Sequence, residues 1–149
     1  MSHSLETDFD LVVSIINQYC EGLYLGDAKM LEDLFHQDAW LKLPGKRRSL
    51  NTWLEDVRQR QTPKDLGQAY DFKILSVDLV QDQAMVKLEC PLFDFHYIDF
   101  IGLLKEEGQW RIVNKMYTDI ASNLKVNESL SKSNETLSNS NASRHGSSS

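Results

Sequence analysis

Apolar residues recur at three- and four-residue spacing over residues 8–25. Phe9, Val12, Val13, Ile16, Tyr19, Cys20 and Leu23 fall on one side of a 3.6-residue period. The spacing predicts an amphipathic helix that Thr7 or Asp8 can cap. Gly26 ends it, in the left-handed conformation that glycine adopts cheaply. Asp27 then caps a second helix, with Met30, Leu31, Leu34 and Phe35 on its apolar side. Residues 38–44 begin a strand that Pro44-Gly45 stops, and a third helix follows over 50–60 with Leu50, Trp53, Leu54 and Val57 as its buried stripe. A polar loop over 61–68 carries Pro63 and Gly67. From Tyr70 onward the period changes to two. Strands are predicted at 70–80, 84–90, 95–105 and 109–118, and the second alternates cleanly, Ala84, Val86, Leu88 and Cys90 against Met85, Lys87 and Glu89. Glu106-Glu107-Gly108-Gln109 makes a tight turn between the two longest.

Helices gathered early and meandering strands late define an α+β domain, with helices packed on one face of a sheet. Strands as long as the last two belong to a curved sheet. Such a sheet leaves a hollow between its concave face and the helices.

Composition changes this picture at the C-terminal end. From Ser122 to Ser149 the chain is mostly Ser and Asn and has no aromatic residue. Such a segment buries too little apolar surface to offset its ordering entropy. The expectation is a folded domain over residues 5–121 and a disordered tail over 122–149. The formal net charge of −6 argues against a nucleic-acid binder, which needs excess Lys and Arg to neutralise phosphates. Lys46-Arg47-Arg48 is a local basic triplet, read as a solvated loop in preference to an anion site. The acidic, polar first residues lack a secretory signal pattern, and no apolar run approaches a membrane span. Two cysteines, Cys20 and Cys90, sit in apolar patterns and suit a reducing cytoplasm as small core residues.

The chain also resembles a known superfamily. The order of elements, with Tyr-Cys-Glu-Gly-Leu-Tyr-Leu-Gly-Asp-Ala (19–28) and Leu-Phe-His-Gln-Asp-Ala (34–39), is similar to the opening of a nuclear transport factor 2-like domain. Glu89-Cys90-Pro91, Tyr97-Ile98-Asp99 and Trp110-Arg111-Ile112-Val113-Asn114-Lys115 resemble its "putative lumazine-binding" branch. The resemblance covers about residues 8–120. It implies a cone-shaped, curved antiparallel sheet with three N-terminal helices on its concave face. It further implies a homodimer. The branch carries no established activity, and its name is a label.

The superfamily includes ketosteroid isomerase, which pairs an Asp base with a Tyr and a protonated Asp. Against that pattern Tyr19 falls near the oxyanion Tyr and Asp99 near the protonated Asp, but the base position just before Pro44 holds Leu43. Leucine moves no proton, so isomerase chemistry of that kind is not expected. Other acid-base candidates are His36 and Asp38, at the junction of the second helix and first strand, and His96, which Asp94 could poise. His36-x-Asp38 also suits a helix-end cap with a turn Asp, the preferred reading, and His96 with Asp94 can equally be a surface pair. These four are of metal-ligand type, but nothing in their spacing builds a metal site. No glycine-rich phosphate loop is present, so no cofactor is expected.

The leading reading is a cytoplasmic domain that binds a small molecule in a mostly apolar pocket lined by Tyr19, Trp40, Trp53, Asp99, Asn114 and Tyr117. The rivals are a dehydratase, isomerase or cyclase of the same fold, and a protein-interaction module. Asp99 has two readings. It either faces the cavity, or stands on the outer face and pairs with Lys87, Arg111 or Lys115.

Overall fold

The computed structural model describes residues 6–121. The tail expected over 122–149 lies outside the described residues. Helix α1 (Asp8–Leu25) opens with a capping box. The Thr7 hydroxyl accepts from the Asp10 N–H, and the Asp10 carboxylate accepts from the Thr7 N–H. Asp8, in the first turn, also ties the helix to the sheet, its Oδ1 accepting from Lys105 Nζ at 3.1 Å and Trp110 Nε1 at 3.0 Å. Gly26 ends α1 at φ +66°. Asp27 caps α2 (Ala28–Leu34), accepting from the Met30 N–H. Ser49 caps α3 (Leu50–Gln59) through the Thr52 N–H.

Six strands form one curved sheet: β1 (Phe35–Leu43), β2 (Lys46–Ser49), β3 (Lys73–Val80), β4 (Gln83–Leu92), β5 (Phe95–Glu106) and β6 (Gln109–Asp119). Their order is β2-β1-β6-β5-β4-β3. All neighbours are antiparallel except β1 and β6, which run parallel. The sheet is therefore mixed, with the three helices on one face, and the fold is α+β.

Three features depart from the sequence reading: the sheet is mixed where an antiparallel one was expected, Phe35 opens β1 in place of lying on the second helix, and a basic loop is a strand. The basic triplet is strand β2, and Pro44-Gly45 is the two-residue turn of a hairpin whose first pair is Leu43 with Lys46. Alternation then turns Arg48 inward, to 6% exposure. In β4, Pro91 pairs with His96 of β5 and lies past Glu89, where pairing with β3 begins. Its missing N–H therefore faces no strand.

The core lies between the helices and the inner face of the sheet. Val12, Ile16, Leu23, Leu31, Trp53, Leu41, Val86, Leu88, Ile101 and Ile112 are all fully buried there. One irregularity decides what else enters it. Between β5 and β6 the register passes from Gly102 with Asn114 to Leu103 with Ile112, so Val113 is an extra residue on β6. Trp110 and Ile112 point inward before the bulge, Lys115 and Tyr117 after it. Among the described residues, no helix is long and apolar enough to cross a membrane.

Gly26 carries the corner between α1 and α2. A Cβ there would sit in a left-handed backbone and against the Thr62 side chain. Gly26→Ala is expected to lower stability by about 1–2 kcal/mol, from the backbone alone. Urea melts of the two proteins measure it, and an unchanged midpoint would refute this account of the corner.

Candidate functional site

Four elements bring polar side chains into the apolar interior. Tyr19 comes from the inner face of α1, Trp53 from α3, Asp99 from β5, and Lys115 and Tyr117 from β6. Asp99 stands directly opposite Tyr117 in the sheet, and Lys115 opposite Ile101. Tyr19, Trp53, Asp99 and Lys115 are all 0% exposed.

The contacts form a relay. Lys115 Nζ donates to Tyr19 Oη at 2.5 Å. Tyr19 Oη donates onward to Asp99 Oδ2 over a long 3.4 Å. The lysine and carboxylate are 3.7 Å apart. Aromatic faces surround the ammonium, with Nζ 5.1 Å from the ring centres of Trp53 and Tyr117 and 5.2 Å from that of Tyr19. Beyond Tyr117, Arg48 donates one guanidinium nitrogen to the phenol oxygen and another to Asp56 Oδ2, both at 2.8 Å. Arg60 lies 5.1 Å over the Phe93 ring.

Electrostatics follow from burial. Loss of hydration pushes the Asp99 carboxyl up, against the pull of Lys115 and the Tyr19 hydrogen bond. Loss of hydration pushes Lys115 down to about 8, with Asp99 opposing and Arg48 and Arg60 adding to the fall. Burial raises the Tyr19 phenol well above its ordinary value, so it holds its proton and can pass one along. Three buried polar atoms around this cluster have no hydrogen-bond partner: Asp99 Oδ1, Trp53 Nε1 and Arg48 Nε. Each such atom costs about 1–3 kcal/mol.

Of the residues expected to line a pocket, Tyr19, Trp53, Asp99 and Tyr117 converge here. Trp40 and Asn114 do not. They pair with each other across β1 and β6 on the far face of the sheet, and Trp40 is 45% exposed. Leu41 and Lys115 are the inward neighbours of these two residues. Lys115, expected only as an outer-face partner of Asp99, is its interior partner. The signal was in the chain: Lys115 is two residues from Tyr117 and shares its face.

The acid-base candidates lie elsewhere. His36 Nδ1 and Asp38 Oδ1 are 2.6 Å apart, with Asp38 75% exposed. His36, Phe35, Gln37 and Arg111 line an open cleft of about 310 Å³, where the β1–β6 register breaks between Phe35 and Trp40. Phe35 links this cleft to the interior, since its ring centre is 5.5 Å from that of Trp53 and 6.0 Å from that of Tyr19. His96 Nε2 pairs with Glu89 Oε2 at 2.6 Å, across the β4–β5 hairpin. Among the described residues no three His, Cys, Asp or Glu side chains gather as a metal site.

The family described as "Putative lumazine-binding" matches residues 7–118. The chain belongs to this family. Among solved structures, a nuclear transport factor 2-like protein of unknown function from Shewanella baltica superposes with a TM-score of 0.64 at 21% identity, over 79% of this chain and 98% of that one. A ketosteroid isomerase-like protein from Erwinia carotovora atroseptica gives 0.59 at 14% identity, over 78% and 98%. At these identities the likeness is one of fold. Aldolase FrzH from Cladobotryum sp is 23% identical over 119 residues, 77% of this chain and 94% of that protein. Within this lumazine-binding family member, the long strands and the bulge at Val113 place the Lys115 relay under the helices.

The relay has a pH signature. The folded Lys115 titrates at about 8 and the unfolded at its ordinary 10.5. The unfolded chain binds more protons between those values, so stability rises with pH through that window. Cys20, held up at about 12, and Cys90, held well above its ordinary 9, act oppositely above pH 9, where the unfolded thiols ionise. Melting curves from pH 8 to 9 should therefore show wild type gaining about 1 kcal/mol relative to Lys115→Met. Parallel curves would mean Lys115 titrates normally.

Proposed function

We propose that the family member binds a small organic molecule in the interior between helices and sheet, with Asp99, Tyr19 and Lys115 as its polar contacts and aromatic rings as its walls. The observation that carries this reading is the unpartnered Asp99 Oδ1 and Trp53 Nε1, an acceptor and a donor both buried beside Lys115. An apolar site with a few convergent polar groups is what small-molecule recognition requires. The family's description makes lumazine the first probe. Titrated lumazine should quench tryptophan fluorescence saturably, and Asp99→Asn and Tyr19→Phe should each weaken binding at least tenfold. Equal affinity in both variants would overturn the interior site.

A second reading, enzymatic action on a carbonyl compound, draws on a specific observation: a buried amine of lowered pKa, in a chain similar to an aldolase. Ketosteroid isomerase-type proton transfer is not part of it, because Leu43 stands where that chemistry needs a carboxylate.

The proposed setting is the cytoplasm, where the two free thiols remain reduced. The proposed assembly is a homodimer through the sheet face away from the helices. Trp40, Met85, Phe100 and Met116 are 41–45% exposed, and neighbouring registers join them into one apolar patch. Light scattering at micromolar concentration should report twice the 17.1 kDa chain mass, and Phe100→Glu should return the monomer. A wild-type monomer would remove the dimer.

A further inference from the structure

We propose that Lys115 is an amine nucleophile that forms an imine with an aldehyde or ketone held in the interior site, Tyr19 carrying protons between it and Asp99. The inference rests on the interior-site reading and adds a covalent step to it. Three observations point to it. Lys115 Nζ, Tyr19 Oη and Asp99 Oδ2 form a continuous line of proton donors and acceptors. The opposite oxygen of that carboxylate, Oδ1, has no hydrogen-bond partner. Lys115 is fully buried among the rings of Trp53, Tyr19 and Tyr117, and this loss of hydration favours the neutral amine and protects an imine from hydrolysis.

The step balances within these groups. Tyr19 accepts a proton from the Lys115 ammonium as it donates its own to Asp99, leaving neutral amine, phenol and carboxylic acid. The amine lone pair attacks the carbonyl carbon, and the C=O π pair moves to oxygen, which takes a proton returned through Tyr19. The resulting carbinolamine loses its nitrogen proton along the same line. The C–O bond then breaks, and the hydroxyl leaves as water with a proton from Asp99. Overall, ammonium plus carbonyl gives protonated imine plus one water, with charge unchanged. The protonated imine can then accept an electron pair from the adjacent C–H bond once a base takes that proton. Burial pushes Asp99 up and Lys115 down, as the first transfer needs. The cleft that Phe35 helps to line, with its ring 6.0 Å from that of Tyr19 and 5.5 Å from that of Trp53, is the proposed route of entry for the carbonyl.

The experiment treats the full chain with acetaldehyde and sodium cyanoborohydride, which reduces an imine to a stable ethylamine, and quantifies each lysine by peptide mass spectrometry. At pH 7, Lys115 should be ethylated faster than exposed Lys29, whose pKa Asp33 holds above the ordinary value. Tyr19→Phe should slow labelling of Lys115 at least tenfold without changing that of Lys29, and Phe35→Leu should speed it. Lys115 remaining unmodified when Lys29 is fully ethylated would overturn the proposal, and this wild-type comparison stands even if a variant fails to fold. Lumazine quenching separates the two readings. Saturable quenching without Lys115 labelling removes the imine alone, and absence of both removes the interior site as well.

Discussion

The interaction on which this structure turns is an ammonium and a carboxylate held fully out of water, joined through one phenol. Taking two ions from water costs several kcal/mol each, and attraction between them repays this only with good geometry and further hydrogen bonds. Here the geometry is incomplete. The ion pair spans 3.7 Å, and one carboxylate oxygen is unpartnered. Apolar residues of similar volume would serve the core at least as well. A core with this much unrewarded polarity is organised around something other than stability, which is the physical basis for reading it as a site.

Every other feature of the fold can be related to how that trio is positioned. The capping box on α1 and the Asp8 contacts with Lys105 and Trp110 fix the helix against β5 and β6, and so fix Tyr19. The Pro44-Gly45 hairpin brings Arg48 inward to hold the Tyr117 hydroxyl, which orients one wall of the cage around Lys115. The extra residue at Val113 is decisive. Without it, the alternation set by Trp110 and Ile112 would turn Asn114 and Met116 inward and put Lys115 in solvent.

This also explains what the chain disclosed and what it concealed. Helix limits were legible because caps and the Gly26 stop are local chemistry, and α1 matches its predicted range. The long strands were legible from period two. Tyr19 and Asp99 were singled out by resemblance to ketosteroid isomerase and Tyr117 as a lining candidate, and the structure turns all three inward. Asn114 and Tyr117 both read as pocket residues from the sequence, but only Tyr117 turns inward. They are three apart, so on a regular strand they face opposite ways, and only the bulge settles which one points inward. A bulge depends on pairing between strands and leaves no mark that a single strand's pattern can show. Strand β2 was hidden for a related reason: Lys46-Arg47-Arg48 carries no apolar residue, and its strand identity comes wholly from its partner. His96 pairs with Glu89 across β4 and β5, a contact that spacing along one strand cannot show.

The same comparison bears on the chemistry. Proton transfer of the ketosteroid isomerase kind needs a carboxylate base just before Pro44, and this chain has Leu43 there. With that position apolar, the ionisable groups of the interior include Tyr19 of α1, Arg48 of β2, Asp99 of β5 and Lys115 and Tyr117 of β6, the strand next to β1. Tyr19 and Asp99, which the resemblance to ketosteroid isomerase sets near an oxyanion-binding pair, are here engaged by Lys115. A Tyr-Asp pair facing a cation is no longer an oxyanion hole, because its donor hydrogen already points at a carboxylate. It becomes a path along which a proton can leave the amine. Under the imine proposal, a cationic neighbour in place of a distant base shifts the chemistry of the interior from polarising a carbonyl to combining with one.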